Sequence, residues 1–474
     1  MILTAHNYGR FLRQSIDSVL GQTRTDFELI VVDDGSTDET AAVLAQYAQD
    51  SRIQVVRLAG VGLAAASNSG IARSRGSYLI RLDADDYLVE IALDRQAAAL
   101  DANPDLGMVY PDHLRVDEAG YLLERVRLAP PEVLRRADLN PPAAGSMLRR
   151  SCVEAVGGYP ERLRHQEDYD FWLRFTDRFP VAWIEEALYY YRQHGGSMSQ
   201  HVARRAAARR YVKREYVEAT GCGRGKRCVA VIPTRPAGSP RVDPRLLCEP
   251  FDGQPLVTRT ILEARKCPGI AGVVVVTSDP AVGELAQRAG ANLLERSASD
   301  RPLPEAVIEH FRSAHGIVPD LLLSLSPYHP LRHPDRGREA LDTLLMHKLD
   351  GVVSAGAGGG GIAASPARTS GQSLWPWEVP RNVVDVQLAP RMDPGPFWAL
   401  DIGRWMGRRE DSFPWSVAAM EAIGPEGLWV VDRDSCTWAE AVLRAGFPPQ
   451  FAQEEFLWPI GASPIGVVAG RGRT

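Results

Sequence analysis

The run Phe27-Glu28-Leu29-Ile30-Val31-Val32-Asp33-Asp34-Gly35-Ser36-Thr37-Asp38 sets the architecture of this chain. Its apolar residues predict a buried strand with two carboxylates at the tip. A glycine then turns the chain, and Ser36, Thr37 or Asp38 can cap the free amides of a helix from Glu39 onward. Around it, short apolar runs alternate with amphipathic stretches: Met1-Ile2-Leu3, Tyr8 to Gln22, Phe27 to Val32, Glu39 to Gln49 and Ile53 to Leu58. That β-α-β-α-β rhythm predicts a mainly parallel, doubly wound α/β sheet, Rossmann-like in its winding. Ligands of such sheets bind outside the carboxyl ends of the strands, so acids at strand tips are the candidate site. The first strand is short because the chain begins almost inside it; a truncated amino terminus or a late-assigned start codon would explain that.

At 474 residues the chain fits two domains of roughly 200 to 250 residues each. Hydrophobic residues at 45% and charged residues at 24% are globular composition, with apolar surface for two cores. A formal charge of -5 gives no broad basic field, which argues against nucleic acid as a partner. Six cysteines without a C-x-x-C pair point to buried free thiols rather than zinc or disulfides. No run of 18 apolar residues and no signal peptide are visible, so the expected location is cytoplasmic, without a transmembrane segment. The Arg-rich stretch from His201 to Arg214 predicts a solvated helix face; the alternative is a peripheral contact with the inner face of the membrane.

A second β-α-β rhythm begins with Cys228-Val229-Ala230-Val231-Ile232 and continues through Val273 to Val276 and Leu321 to Leu323. Between the two systems an Arg/Ala-rich helical segment closes on Gly221-Cys222-Gly223-Arg224-Gly225. The expected division is a first domain over 1–215, a linker over 216–226 and a second domain over 227–468. The glycine run Ala355 to Gly361 lacks the G-x-x-x-x-G-K-[ST] spacing and reads as a loop, not a phosphate-binding one.

The side-by-side Asp33 and Asp34 repel one another unless hydrogen bonding with a ligand offsets it. Farther on, Tyr78-Leu79-Ile80-Arg81-Leu82 runs into Asp83-Ala84-Asp85-Asp86. Residues 83 and 85 lie two apart and can converge on a hard cation, magnesium or manganese, that bridges carboxylates to phosphates; an acidic turn without a ligand is the alternative. The third acidic element is Gln166-Glu167-Asp168-Tyr169-Asp170, opening a helix whose Phe171, Trp172 and Phe175 are spaced for burial. Its acids either complement the helix dipole or include a general base.

These pieces, in this order, resemble the family 2 glycosyltransferases of the GT-A fold over roughly residues 1 to 200. The matching text is Thr4 to Leu12, Ser15 to Thr23, Val31 to Asp38, Asn68 to Ala72, Asp83 to Asp86, Glu167-Asp168 and Tyr191 to His194. The resemblance implies a metal-assisted, inverting glycosyltransferase that moves a sugar from a nucleotide-diphosphate sugar to an acceptor hydroxyl. Its setting would be cell-surface polysaccharide, lipopolysaccharide or glycoprotein biosynthesis, with a glycan, lipid-linked or protein acceptor. By the same match Thr4, Asp33 and Asp34 belong to donor binding, with Asp34 accepting from the base. Asp83 and Asp85 form the D-x-D, with Asp85 as the more direct ligand of Mg2+ or Mn2+. Asp168 is the base, and His194 helps hold the diphosphate or the metal. The Thr4 and Asp34 positions favour a UDP- or dTDP-sugar.

The second half resembles the cytidylyltransferases that activate sialic and related acids as CMP-sugars. The resemblance rests on Ile232-Pro233-Thr234-Arg235, Phe251 to Leu256, Val275 to Asp279, Ser326 to Arg332, Asp350 to Ser354 and Val431 to Asp434. It implies a nucleotidyltransferase-like fold with Arg235, Arg241 and Arg332 at a nucleotide site for CTP, and Asp432 and Asp434 on magnesium. Two departures stand out: Gly238-Ser239-Pro240-Arg241 replaces the family's Gly-Ser-Lys-Gly, and Ser326 replaces a glutamine. The alternatives for this half are an active cytidylyltransferase that forms a CMP-activated nonulosonic acid, making the chain bifunctional, and a non-catalytic domain that binds nucleotide, sugar or a partner.

Overall fold

The structure, a computed structural model, describes residues 1–198, 201–234, 243, 245–295, 303–355, 397–406, 417–421, 430 and 433–447. Arg235, Arg241, Asp432, most of the loop from Pro236 to Pro244 and the glycines from Gly356 to Gly361 lie outside the described residues.

Among the described residues, the first half contributes β1 (Ile2–Ala5), β2 (Leu29–Asp34), β3 (Ile53–Leu58), β4 (Tyr78–Asp83), β5 (Tyr87–Leu88), β6 (Met108–Val116), β7 (Leu122–Val126), β8 (Met147–Arg149) and β9 (Val181–Arg192). They form one sheet in the order β3-β2-β1-β4-β8-β6-β9-β5, with β7 on β6. The part β3-β2-β1-β4 is parallel, with Thr4 opposite Val32 on one side and Asp83 on the other. Parallel strands are buried on both faces, so each side needs its own apolar residues. Leu3 and Val31 join the core under the helix Gly9–Leu20, while Ile2, Ile30 and Val32 face the core that holds Ala64 to Ala66 of the helix Leu63–Arg73. That second helix lies so close that a Cβ at Gly70 would meet the Ile2 side chain at 2.4 Å.

Beyond β4 the sheet departs from the mainly parallel expectation. The β4–β8, β8–β6 and β9–β5 pairs are antiparallel. The long β9 runs parallel to β6 and antiparallel to the two-residue β5, and this double pairing delivers Arg192 to His194 to the turn at Asp85 and Asp86.

The helix Val202–Thr220 continues unbroken through the first residues of the expected linker, because the chain finds its glycine stop only at Gly221, at φ +65°. Ala207, Ala208, Val212, Lys213 and Val217 are buried on it, so the Arg-rich stretch is in part a packed helix rather than a solvated face. Its neighbour is the helix Arg336–Met346 of the second half.

The second half holds β10 (Cys228–Pro233), β11 (Pro250–Phe251), β12 (Gln254–Pro255), β13 (Ile270–Val276), β14 (Asn292–Leu294), β15 (Leu321–Leu325), β16 (Gly351–Ala355), β17 (Phe397–Asp401) and β18 (Val417–Glu421). Its main sheet has the order β14-β13-β10-β15-β17-β16-β18, parallel through β15 and antiparallel at β17. Asp252 and Gly253 both take positive φ between β11 and β12, the conformation of a two-residue hairpin turn. All six cysteines are free, four of them buried. No helix among the described residues is long and apolar enough to cross a membrane.

Candidate active site

Three strand ends and one helix start meet at the carboxyl edge of the first sheet. Asp33 and Asp34 close β2 and are both buried. The chain itself relieves their proximity: the Ser36 amide donates to Asp33 Oδ1 at 3.0 Å, and the amides of Val61 and Gly62 donate to the two Asp34 oxygens at 2.7 Å each. Charge-assisted bonds of this kind are worth about 1.5–3 kcal/mol each. Asp34 therefore fastens the loop at Val61 and Gly62 to β2, and Gly35, at φ +75°, turns where a Cβ would meet the Gly60 amide at 2.9 Å. The capping reading holds for Asp38, which accepts from the amides of Thr40 at 3.0 Å and Gly9 at 2.8 Å.

Thr4 donates through Oγ1 to Asp83 Oδ1 at 3.2 Å, so the expected nucleoside residue touches the D-x-D. Asp83 also lies 3.4 Å from the Arg81 guanidinium. Loss of water and the nearby Asp85 raise the Asp83 carboxyl above its ordinary range, against the pull of Arg81. Asp85 faces His194, with Nε2 to Oδ2 at 3.0 Å. The Gly196 amide donates to His194 Nδ1 at 3.2 Å, so the proton of the neutral ring sits on Nε2 and points at Asp85. Tyr8 meets the same ring edge-on at 5.4 Å between centroids. Buried Arg192 ties the turn in place: its amide donates to Asp86 Oδ1 at 2.9 Å and its Nε to the Asp85 carbonyl at 2.8 Å. Burial, then the fields of Asp85 and Asp83, push the Asp86 carboxyl well above its usual range.

Asp85 is a partly exposed hard carboxylate that could hold manganese or magnesium with remaining positions left to phosphate and water, while His194, with both ring nitrogens already engaged, orients it rather than lending a ligand. Asp83 is more committed, through Thr4 and Arg81. Such a cation, when bound, neutralises charge that builds on a departing diphosphate.

Glu167 and Asp168 open the helix Glu167–Thr176, with Phe171, Trp172 and Phe175 buried as their spacing predicts. Arg81 Nη1 reaches Glu167 Oε1 at 3.2 Å, so one buried guanidinium bridges the D-x-D strand and the acidic helix start. Burial, then the neighbouring Asp168 charge, push Glu167 up to about 7 against Arg81. Asp168 is half-buried: Oδ1 accepts from the Tyr169 amide at 2.8 Å and Oδ2 from Asn140 Nδ2 at 3.0 Å. Arg81 and Asn140 were not singled out from the sequence, while Glu167 and Arg192 stood in matching blocks without a separate role assigned to either. Arg81 was findable, since it lies two residues before Asp83 and thus on the same strand face; Asn140 carries no such signal.

In the second half, buried Arg332 spends its guanidinium on Glu263, at 3.1 and 2.7 Å, and on the Ser326 carbonyl at 2.8 Å. Asp434 is exposed in the first turn of the helix Arg433–Arg444.

A carboxylate-and-histidine edge on an α/β sheet, tied through Arg81 to the acidic start of a helix, is compatible with a nucleotide-dependent transferase. The chain belongs to the family 2 glycosyltransferases: the model of glycosyl transferase family 2 matches residues 1–145. EpsE of Bacillus subtilis, named as a glycosyltransferase, is 34% identical over 200 residues, covering 41% of this chain and 72% of that protein. A chondroitin synthase of Escherichia coli is 29% identical over 205 residues, 42% of this chain but only 29% of that protein. Among solved structures, Staphylococcus aureus TarS 1-349 in complex with UDP-GlcNAc aligns at 21% identity and TM-score 0.39, over 46% of this chain and 65% of that one. A CMP:2-keto-3-deoxy-manno-octonic acid synthetase complexed with CTP aligns at 18% identity and TM-score 0.33, over 47% of this chain and all of that one. Neither structural likeness is close enough to bear on function.

Proposed function

We propose that the first half transfers a sugar, with inversion, from a UDP- or dTDP-sugar to an acceptor hydroxyl in polysaccharide or related surface-glycan assembly. The observation that carries this reading is the Arg81 bridge, which brings the D-x-D strand and the Glu167–Asp168 helix start to one site. Asp168 takes the proton of the acceptor hydroxyl as its oxygen bonds to the anomeric carbon. The bond from that carbon to the diphosphate breaks, and its electron pair leaves with the nucleoside diphosphate. Asp85, oriented by His194, would hold Mg2+ or Mn2+, with Asp83 beside it. Thr4 and Asp33 shape the donor floor. Asp34 places the Val61–Gly62 loop and keeps lone pairs for the base, since each carboxylate oxygen can accept twice. The kinship with a protein named chondroitin synthase supports a polysaccharide setting.

The second half is read as a nucleotidyltransferase-like domain with weak or no CMP-sugar synthesis. Pro240 stands where the family has a lysine, and the planar guanidinium of the next residue, Arg241, does not replace a compact ammonium at a triphosphate. Arg332 is already engaged by Glu263. The test of the main reading is nucleotide release from a panel of UDP-, dTDP- and GDP-sugars with manganese, magnesium or chelator. Metal-dependent release from a UDP- or dTDP-sugar is expected. Calorimetric binding of a GDP-sugar alone, or full activity in chelator, overturns the donor or the metal assignment respectively.

A further inference from the structure

Two residues beside the proposed base hold backbone conformations that side-chain-bearing residues rarely adopt. Asp138 has φ +55° and Gln166, immediately before Glu167-Asp168, has φ +63°. Such residues persist only where their surroundings over-determine them. One side chain grips both. Arg209, from the helix Val202–Thr220, donates to the Asp138 carbonyl, to Gln166 Oε1 at 2.9 Å and to Asn140 Oδ1 at 3.3 Å. Its guanidinium also lies 3.6 Å over the Tyr169 ring. Because Arg209 occupies the oxygen end of the Asn140 amide, the nitrogen end is the one turned to Asp168, at 3.0 Å.

The clamp is in turn keyed by the second half. One turn along the same helix, Lys213 is 1% exposed and pairs with the Asp138 carboxylate. It also reaches Glu339 Oε1 at 3.2 Å and Thr343 Oγ1 at 3.0 Å, both on the helix Arg336–Met346. Arg336 closes on Glu339 at 2.8 Å. His347, at the end of that helix, meets Asp138 Oδ1 at 3.1 Å, and the Tyr169 hydroxyl donates to the same oxygen at 2.6 Å. Met346 completes the contact from within the first half's own core. Buried charge networks are poor adhesives compared with apolar packing, and their best-attested use is to fix one geometry. Here the geometry fixed lies next to Asp168.

We propose that the second half is a positioning element for sugar transfer: its helix Arg336–Met346 locks Asp138 through Lys213, and the Arg209 clamp thereby orients Asn140 against the Asp168 carboxylate. This rests on Asp168 being the base. Lys213, Glu339, Asp138 and Arg209 are positioning residues, since they act through Asn140 and Gln166 rather than on substrate. The role requires no chemistry in the second half, so it stands whether or not that half turns over CTP.

The test uses the full chain and UDP release from a panel of UDP-glucose, UDP-galactose, UDP-N-acetylglucosamine and UDP-glucuronate, a readout of attack by acceptor or water alike. Lys213→Met should lower kcat roughly tenfold or more while donor KM stays within about twofold, the split expected when a catalytic group is misplaced and donor binding is spared. Should Lys213→Met fail to fold, Glu339→Gln, nearly isosteric, should lower kcat in the same direction with KM unchanged. Either change placed on Asp168→Asn should cause no further loss, because the group it acts through is already gone. Unchanged kcat in a folded Lys213→Met or Glu339→Gln variant overturns the proposal. So does an equal fold-loss in the Asp168→Asn background, which marks a general structural role. Asp168→Asn separates the two readings. If it loses turnover as expected while the network variants do not, only the positioning role fails; if it keeps turnover, the base assignment fails and this proposal with it.

Discussion

Replacing Asp168 by Asn removes one proton acceptor and leaves the shape of the site almost unchanged. A positioned carboxylate base contributes typically 10² to 10⁴-fold, or about 3 to 5 kcal/mol of barrier, so turnover should fall by that factor. Donor affinity should not change, because among the described residues Asp168 bonds to Asn140 and the Tyr169 amide, whereas the donor residues Asp34 and Asp85 are held by other partners. The variant should also be slightly less stable. Its new amide nitrogen would face either the Asn140 nitrogen or the Tyr169 amide, so one of the two bonds that Asp168 accepts is forfeited. A charge-assisted bond sets an upper bound of about 1.5–3 kcal/mol on that cost. With relaxation to about 1 kcal/mol, a domain of this size should melt about 2–4 °C lower. UDP release gives the rate, calorimetry the donor affinity and thermal denaturation the stability. Turnover within about threefold of wild type, far less than the 10² expected for a base, would assign the role to another residue. Loss of donor binding together with rate would show that Asp168 shapes the pocket instead.

Asp85→Ala should abolish transfer and leave the melting temperature close to wild type, since its described side-chain partner is His194; chelator should do the same to the native chain, and full activity in either case removes the metal assignment. Turnover should rise between pH 6 and 8, because burial and the Asp168 charge push Glu167 up to about 7, so that it gains its own charge across this range. The added charge beside Asp168 favours taking up the acceptor's proton, so Glu167→Gln should flatten that limb; a limb that survives in the variant belongs to another group. Incubated with CTP, magnesium and a panel of nonulosonic acids, the full chain should release pyrophosphate at less than about 1 s⁻¹, the low end of ordinary enzyme rates, and faster release would make the chain bifunctional.

The parts of the site that could be read from the sequence are those whose position is local. Asp33, Asp34 and Asp83 end strands announced by their own apolar runs, and Asp168 opens a helix announced by Phe171, Trp172 and Phe175. The mixed outer part of the sheet was not legible, because β6, β8 and β9 carry apolar runs that fit either pairing direction. The buried cations were not legible either. A single lysine on an Arg-rich helix reads as solvated charge, and in Lys213 that reading fails because carboxylates arrive from Asp138 and Glu339, residues separated from it by 75 and 126 positions. Charge pairing over such separations has no period, so no window of sequence contains it. The pairing of Arg81 with Glu167, 86 positions apart, is the same case at the active site, although the place of Arg81 beside Asp83 was open to reading. The consequence is specific to how the second half is understood: its motifs raise the question of whether it is an enzyme, whereas its clearest contacts with the rest of the chain run through Lys213 and Asp138 toward the carboxylate of the first. A domain that lost its own chemistry would still be needed intact at the helix Arg336–Met346, and substitutions there should register in sugar transfer before they register in anything the second half does alone.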